Sequence, residues 1–362
     1  MHPAPASAPA SEHPLFRVLR ADHTADPDPL IPNATLLRAY REMRRLRAID
    51  ARMLLLQRQG RIGFYGPSEG QEAVPIATGL AVRENDWVFP ALREQSVMLA
   101  RGFPLNSFLA QIFGNSGDIA KGRQMPSHQS GRSVNQVSWS SCIATQLPHA
   151  VGTAWAMKLQ KAKEVTVAFC GEGGTSEPDF HNAMNFAAVY HVPCVIVCQN
   201  NHWAISVPAS RQTASKTFAI KSVAYGMPST RVDGNDFLAT YKVLHDAIER
   251  ARNGGGPTFI EALTYRIGPH SSSDDPTLYR SNAEVEEWRQ KDPLARLRGH
   301  LKHLKLITEA RDAEIDKEIA DELQKAITEV EALPPPPSES LFEDVYETQT
   351  WNLREQRLPK AP

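Results

Sequence analysis

The stretch from Val165 to Trp203 constrains the fold more than any other part of this 362-residue chain. Two short apolar runs, Val165–Cys170 and Cys194–Gln199, are rich in β-branched residues and bounded by glycine, proline or asparagine, which is typical of buried strands. Between them Ser176 and Asp179 are expected to cap a helix. The apolar residues that follow at helical spacing are Phe180, Ala183, Met184 and Ala187. A strand–helix–strand unit of this kind makes its two strands parallel.

Polar residues follow both predicted strands at the point where each strand ends. Gly171-Glu172-Gly173 comes after the first strand and Asn200-Asn201 after the second. Because the carboxyl ends of parallel strands share one edge of a sheet, Glu172 and Asn201 are expected to lie close together. A carboxylate, an amide oxygen and a nearby main-chain carbonyl suit Mg²⁺, which completes its octahedron with phosphates and water. With glycines and a helix N-terminus beside them, these residues predict a Mg²⁺–diphosphate site.

Two other interpretations fit the same stretch. The glycines of an ordinary strand–helix turn could serve packing alone, and G-x-G could open a dinucleotide site. The second is disfavoured because Ser176 stands at the third glycine position and Gln199-Asn200 stands where an acidic ribose partner is expected. The sequence contains no G-x-x-x-x-G-K-[ST] run, which excludes a P-loop.

Composition limits the remaining classes of function. Hydrophobic residues make up 41% of the chain and the net charge is −1 without a long basic block, so no nucleic-acid partner is expected. No apolar run reaches the length of a membrane span. Residues 1–30 begin with a Pro/Ala/Ser-rich segment without an apolar signal core, and they are expected to form a disordered or extended arm. The four cysteines show no C-x-x-C spacing, which favours a reducing cytoplasmic location.

GEG followed at this distance by NN resembles the thiamine-diphosphate signature, which is usually GDG followed by NN. The surrounding sequence resembles the alpha subunit of the decarboxylating component of 2-oxo acid dehydrogenase complexes, the branched-chain (2-oxoisovalerate dehydrogenase) type in particular. The GRQMP-x-H run of residues 122–128 and the RIG-x-H-S-x-S-DD loop of residues 266–275 also carry this resemblance. It implies an α/β fold with a doubly wound, mostly parallel sheet, helices on both faces, and additional N- and C-terminal helices.

The resemblance implies roles for individual residues. Mg²⁺ would be held by Glu172, Asn201 and the main-chain oxygen of Trp203. The residues expected to contact thiamine diphosphate are Tyr65, Arg93, Ser141, Ile143, Gly171, Glu172, Gly173, Asn201 and His270. The residues that match a structural K⁺ site are Ser140, Thr145 and Gln146.

Two histidines and two departures from the family pattern bear on the chemistry. His270 can donate a hydrogen bond to a developing oxyanion or hold diphosphate, and the resemblance implies that it is catalytic. His128 is either a structural histidine or a pocket residue.

Leu92 replaces an aromatic residue before Arg93, and Gln199 replaces an arginine that some relatives carry beside NN. Both departures remove one contact to diphosphate.

The expected organisation is an arm (1–30), a cofactor-binding α/β domain (31–333), and a Pro-rich linker with a C-terminal tail (334–362). The tail carries enough apolar residues that it is expected to pack on a partner. By the resemblance, the chain decarboxylates a branched-chain 2-oxo acid such as 2-oxoisovalerate and passes the acyl group to a lipoyl group of the acyltransferase component. A beta subunit would complete an α₂β₂ heterotetramer and supply a catalytic glutamate. The alternatives are a pyruvate or acetoin dehydrogenase, and a subunit that uses the cofactor only as a structural element.

Overall fold

The computed structural model describes residues 13–357, and a parallel sheet stands at its centre. Its strands are β1 (Leu15–Phe16), β2 (Trp87–Phe89), β3 (Thr166–Gly171), β4 (Cys194–Asn200), β5 (Trp203–Ala204), β6 (Val207–Pro208), β7 (Ser229–Asp233) and β8 (Thr258–Leu263). Six of them pair in the order β1-β7-β8-β4-β3-β2, and every pairing in this sheet is parallel. β5 and β6 form a separate antiparallel pair.

The helices surround this sheet and extend beyond it at both ends of the chain. They are α1 (Asn33–Arg58), α2 (Ala73–Ala81), α3 (Ser96–Ala100), α4 (Leu105–Phe113), α5 (Gln146–Leu159), α6 (Pro178–Tyr190), α7 (Phe237–Arg250), α8 (Asn282–Arg289), α9 (Pro293–His303), α10 (Glu309–Glu331) and α11 (Trp351–Gln356). Short turns of 3₁₀-helix connect several of them, including residues Glu172–Ser176 between β3 and α6.

Alternate side chains of the central strands face two different cores. Val167 and Val197 pack in one core with residues of α1, α2 and α7. Ala168 and Ile196 pack in the other core with residues of α5 and α6. Because side chains alternate across a strand, a strand that is apolar at every position must be covered on both faces. The prediction of a parallel sheet with helices on both faces is confirmed.

The central strand–helix–strand unit also forms as predicted, with one correction. α6 begins at Pro178, and Ser176 belongs to the preceding 3₁₀ turn, so the expected cap by Ser176 is wrong. Glu177 occupies the cap position in extended conformation, and no side-chain oxygen caps the helix. Proline has no N–H to satisfy and its φ angle suits a first helical turn, so the helix starts there without the capping box.

The described part of the N-terminal arm is extended and packed on the domain. β1 adds a parallel strand beside β7. The main-chain N–H groups of Val18 and Leu19 donate to Asp236 Oδ2 at 2.8 and 2.6 Å, and both side chains are buried in the first core. Residues 1–12, on which the expectation of disorder also falls, lie outside the described residues.

The C-terminal tail is attached to this chain at its start and exposed further on. Arg123 donates to the main-chain oxygen of Ser340, and Lys121 Nζ lies 2.5 Å from Asp344 Oδ2. Tyr346 and Trp351 are mostly exposed. Packing of this tail on a partner stays a prediction.

Between residues 13 and 357, no helix has both the length and the apolar character that crossing a membrane requires. The cytoplasmic location stays a prediction.

Candidate active site

The carboxyl ends of β2, β3, β4 and β8 open on one cavity of about 650 Å³. The register that pairs Gly171 with Gln199, and Asn200 with Leu263, brings the loops after these strands to a common level. The predicted site residues that line this cavity are Arg93, Ser140, Ser141, Ile143, Gln146, Gly171, Glu172, Gly173, Asn201, Trp203 and His270. This is the sheet edge at which open α/β folds bind their ligands.

Glu172 is the most unusual group in the cavity wall. It is 1% exposed, and its Oε2 accepts a hydrogen bond from the Asn201 main-chain N–H at 3.2 Å. Its other oxygen, Oε1, is buried and has no hydrogen-bond partner. Burial raises the pKa of this carboxyl group. A buried carboxylate oxygen without a partner is costly unless a cation compensates its charge. Glu172 Oε1 is therefore suited to be a ligand of a bound metal ion.

The amide of Asn201 is oriented by its own neighbours. Asn201 Oδ1 accepts from the Trp203 main-chain N–H at 3.1 Å, and Nδ2 donates to Gln71 Oε1 at 2.8 Å. Arg266 Nη1 donates to the Trp203 main-chain oxygen at 3.0 Å. Each carbonyl oxygen has two lone pairs and therefore keeps one acceptor position. Since residues 13–357 hold no cluster of three or more His, Cys, Asp or Glu suited to a metal, amide and carbonyl oxygens would have to complete the shell.

Arg93 and His270 form a pair on the other side of the cavity. Arg93 Nη2 donates to the His270 main-chain oxygen at 2.6 Å and lies 3.2 Å from His270 Nδ1. Because a guanidinium group only donates, Nδ1 must present its lone pair to Arg93, which leaves the ring proton on Nε2. Burial, together with Arg93 and Arg266, lowers the pKa of His270 to about 4. The imidazole is therefore neutral at pH 7.

The loop that carries His270 is held by a second set of contacts. Asp274 Oδ2 accepts from the His270 main-chain N–H at 2.7 Å and from the Tyr279 hydroxyl at 2.6 Å. These hydrogen bonds lower the pKa of Asp274 against the raising effect of burial, so it stays ionised. The loop is thus a rigid support for the histidine.

The polar loop before α5 contributes a further wall. His128 Nε2 and Ser141 Oγ are 2.5 Å apart, and the His128 ring packs against Trp139 at a tilt of 31°, with centroids 3.7 Å apart. His128 is thus a cavity residue. Ile143 is 59% exposed and projects into the cavity, as a residue that supports a bent cofactor would.

The three residues of the expected K⁺ site lie around the turn that starts α5. Thr145 Oγ1 donates to the Cys142 main-chain oxygen at 2.9 Å, and Gln146 Nε2 donates to the Phe169 main-chain oxygen at 2.6 Å. Ser140 Oγ accepts from the Cys142 main-chain N–H at 3.2 Å. Ser140 and Gln146 line the cavity and Thr145 does not. The K⁺ site stays a prediction.

Tyr65 differs from its expected position. Its ring is fully buried and does not line the cavity, whose wall at this point is formed by Phe64. The Tyr65 hydroxyl donates to Asp50 Oδ1 at 2.7 Å and accepts from Gln95 Nε2 at 3.0 Å. Tyr65 therefore anchors the loop from beneath the cavity wall, and its contact with a cofactor stays a prediction.

Sequence reasoning also missed Asp50 and Gln71. Asp50 lies on the buried face of α1 and accepts from the Tyr65 hydroxyl and, at 2.7 Å, from the Ser68 main-chain N–H. Gln71 contacts Asn201 from the loop before α2. A polar residue on an apolar helical stripe, with Leu46 and Met53 at spacings of four and three, was a usable signal for Asp50.

Replacing Asp50 tests the pH dependence that this buried carboxyl group creates. Burial raises its pKa from 3.8 to about 7, so the folded protein binds this proton more tightly than the unfolded chain does. The stabilisation is present below about pH 4 and is lost as the pH rises towards about 7. As the pH rises from about 5 to about 8, the unsubstituted protein should therefore lose about 2 kcal/mol of unfolding free energy that Asp50→Asn does not lose. Urea unfolding at both pH values measures this difference, and parallel pH profiles would contradict it.

Comparison with known proteins decides the family. The family described as dehydrogenase E1 component matches residues 40–339. The chain belongs to the dehydrogenase E1 component family. Members of this family depend in general on thiamine diphosphate.

Relatives within the E1 component family cover most of this chain. An Arabidopsis thaliana protein named 2-oxoisovalerate dehydrogenase subunit alpha 2, mitochondrial, is 43% identical over 89% of this chain and 68% of its own length. The 3-methyl-2-oxobutanoate dehydrogenase subunit alpha of Mycobacterium tuberculosis is 42% identical over 90% of this chain and 87% of its own. The Homo sapiens 2-oxoisovalerate dehydrogenase subunit alpha, mitochondrial, is 39% identical over 95% of this chain and 78% of its own.

Proposed function

We propose that this chain is the alpha subunit of a thiamine-diphosphate-dependent 2-oxo acid dehydrogenase of the branched-chain type. Its reaction is the oxidative decarboxylation of a 2-oxo acid such as 2-oxoisovalerate, with transfer of the acyl group to a lipoyl group of the acyltransferase component. The observation that carries the proposal is the buried, partnerless Oε1 of Glu172 beside Asn201 at the carboxyl edge of the sheet. The names of the E1 relatives support the substrate class.

Some residues of the cavity would bind the metal ion and others the diphosphate. Glu172 Oε1, Asn201 Oδ1 and the main-chain oxygen of Trp203 would hold Mg²⁺. Arg93 would offer its cation to diphosphate; burial lowers its pKa to about 10, which leaves it charged at neutral pH. Gly171 and Gly173 border the same place, and the open space beside Gly171 leaves room for a ligand next to the backbone. A K⁺ ion held by Ser140, Thr145 and Gln146 would brace the loop before α5.

Thiamine diphosphate supplies the electron sink that makes loss of CO₂ from a 2-oxo acid possible. The chain's own contribution is to bind, orient and stabilise. His270 presents a neutral imidazole with its proton on Nε2, so it can donate a hydrogen bond to a substrate oxygen that gains negative charge. Because Arg93 contacts this ring and Asp274 holds the main-chain N–H of the same residue, the donor needs little reorganisation during the reaction. Phe64, Leu92, Met125 and Trp139 give the cavity an apolar wall that excludes water.

A beta subunit is required by this assignment. The described residues form one diphosphate-type α/β domain around one sheet of six strands. The aminopyrimidine half of the cofactor would then be bound by a second subunit, which also supplies the activating glutamate. The E1 relatives are named as alpha subunits, which supports a partner of this kind. The exposed apolar residues Tyr346 and Trp351 of the tail are a place where such a partner can pack.

Co-expression with candidate beta subunits tests the proposal. The chain purified alone should show no decarboxylase activity, and the co-purified complex should turn over 2-oxo acids only with thiamine diphosphate and Mg²⁺. Among substrates, kcat/KM for 2-oxoisovalerate should exceed that for pyruvate by about tenfold or more, since apolar side-chain contacts discriminate by that order. Full activity of the chain alone would contradict the subunit assignment. A preference for pyruvate or acetoin would contradict the branched-chain substrate and keep the class of enzyme.

A further inference from the structure

Gln71 lies in the loop before α2 and forms part of the cavity wall. It is fully buried, and its Oε1 accepts two hydrogen bonds: from Asn201 Nδ2 at 2.8 Å and from Gln199 Nε2 at 3.3 Å. Two buried atoms of these side chains have no hydrogen-bond partner: Nε2 of Gln71 and Oε1 of Gln199. A buried amide atom without a hydrogen bond is unfavourable, so each of these two atoms is expected to bind a ligand or a water molecule.

One main-chain N–H determines how all three amides are oriented. The Trp203 N–H can only donate, so the Asn201 atom beside it must be the oxygen. Asn201 therefore turns its NH₂ group to Gln71, and the facing atom of Gln71 must be its oxygen. The same oxygen then requires the NH₂ group of Gln199 as its second donor. The free atom of the Gln71 amide is consequently Nε2, a hydrogen-bond donor.

We propose that Gln71 is a binding residue of the cofactor site. Its oxygen holds the Asn201 amide so that Oδ1 faces the metal, and its Nε2–H donates to an oxygen of the diphosphate. The inference rests on the function proposed above and adds a residue that neither the signature nor the relatives' names assign. An anion suits this donor because Arg93 in the cavity wall and the buried Arg266 place positive charge near Glu172. The free Gln199 Oε1 is an acceptor and suits a water of the magnesium shell.

Two variants separate the two roles. Gln71→Met keeps the side-chain length and removes both the acceptor and the donor. Gln71→Glu keeps oxygens for Asn201 and Gln199 but replaces the N–H donor with a negatively charged acceptor. Asn115→Leu is the control, because Asn115 is a buried amide outside the cavity that donates to the Val330 main-chain oxygen at 2.7 Å.

Isothermal titration calorimetry on the full chain co-purified with its beta subunit gives the Kd for thiamine diphosphate and for inorganic diphosphate, each with Mg²⁺. Both Gln71 variants should bind both ligands about tenfold more weakly or worse, which is the order expected for one hydrogen bond to a charged group. Gln71→Met should also raise the Mg²⁺ concentration needed for half-saturation, because its Asn201 amide is no longer held. Asn115→Leu should lose thermal stability and keep both Kd values.

The outcomes distinguish this inference from the proposed function. If the unsubstituted protein binds both ligands and Gln71→Glu binds them with equal affinity, Gln71 has no such role while the proposed function stands. If the unsubstituted protein binds neither ligand, the proposed function fails and the role of Gln71 fails with it. Should Gln71→Met not fold, unchanged affinity of Gln71→Glu would still overturn the inference, since this variant keeps the acceptor that holds the neighbouring amides.

Discussion

Glu172→Gln is expected to abolish activity while leaving the ligand-free protein at least as stable as before. The substitution keeps the shape of the side chain and one oxygen for the Asn201 N–H. It removes the buried negative charge, which costs stability when no cation is present. The affinity for Mg²⁺ with thiamine diphosphate should fall by about 10²- to 10⁴-fold, because about 3–5 kcal/mol is typical when one partner of a buried charge pair is lost. Calorimetric titration and thermal unfolding measure the two effects.

Glu261→Gln is the matched control for this substitution. Glu261 is also buried, but its Oε1 accepts from Asn200 Nδ2 at 2.9 Å and its Oε2 from the Ala219 N–H at 2.8 Å. Both oxygens therefore hold the fold together. Glu261→Gln should reduce thermal stability and leave the affinity for Mg²⁺ with thiamine diphosphate unchanged. A Glu172→Gln protein that binds Mg²⁺ and thiamine diphosphate normally would remove the basis of the proposed site.

His270→Ala is expected to reduce kcat by about 10²- to 10³-fold, which is typical for the loss of one donor to a developing oxyanion. Binding of thiamine diphosphate should change much less, since Glu172 and Asn201 are untouched. Because the pKa of His270 is lowered to about 4, its neutral form predominates throughout the neutral range. The contribution of His270 to kcat should therefore be constant from about pH 6 to about pH 8 and change only as the pH falls towards about 4, where Nδ1 gains a proton and can no longer accept from Arg93.

Steady-state kinetics of the co-purified complex over this pH range measure the effect. His245→Ala serves as control, because His245 is an exposed histidine of α7 that does not line the cavity. Unchanged turnover of His270→Ala would favour the alternative in which the cofactor serves only as a structural element of this subunit. A pH profile of the unsubstituted complex centred near 6.5 would contradict the neutral state derived for this ring.

The site's core was predictable because it follows from periodicity and from sheet geometry. Val167–Cys170 in β3 and Cys194–Cys198 in β4 are continuous apolar runs, so the sequence indicated strands covered on both faces. The residues after two parallel strands then had to meet at one edge of the sheet. Glu172 and Asn201 therefore lie where expected. β2 ends at Phe89, because Pro90 has no N–H to continue the ladder.

Other features left too little pattern in the sequence. β1 contains two residues, which is too short for alternation to appear, and its pairing depends on contacts more than two hundred residues away. In the loop before α2, a side chain can point to either side, so nothing distinguished Phe64 in the wall from Tyr65 beneath it. Gln71 gave no signal, because its role depends on the orientation of Asn201, and that orientation arises only in the folded chain.

A structure of the protein determined with Mg²⁺ and thiamine diphosphate tests the central claim most directly. The account predicts Glu172 Oε1 and Asn201 Oδ1 in the first coordination shell of a single Mg²⁺, at about 2.1 Å. Phosphate oxygens of the cofactor should complete that shell at the carboxyl ends of β3 and β4. A metal ion bound elsewhere, or Glu172 Oε1 turned away from it, would contradict the account.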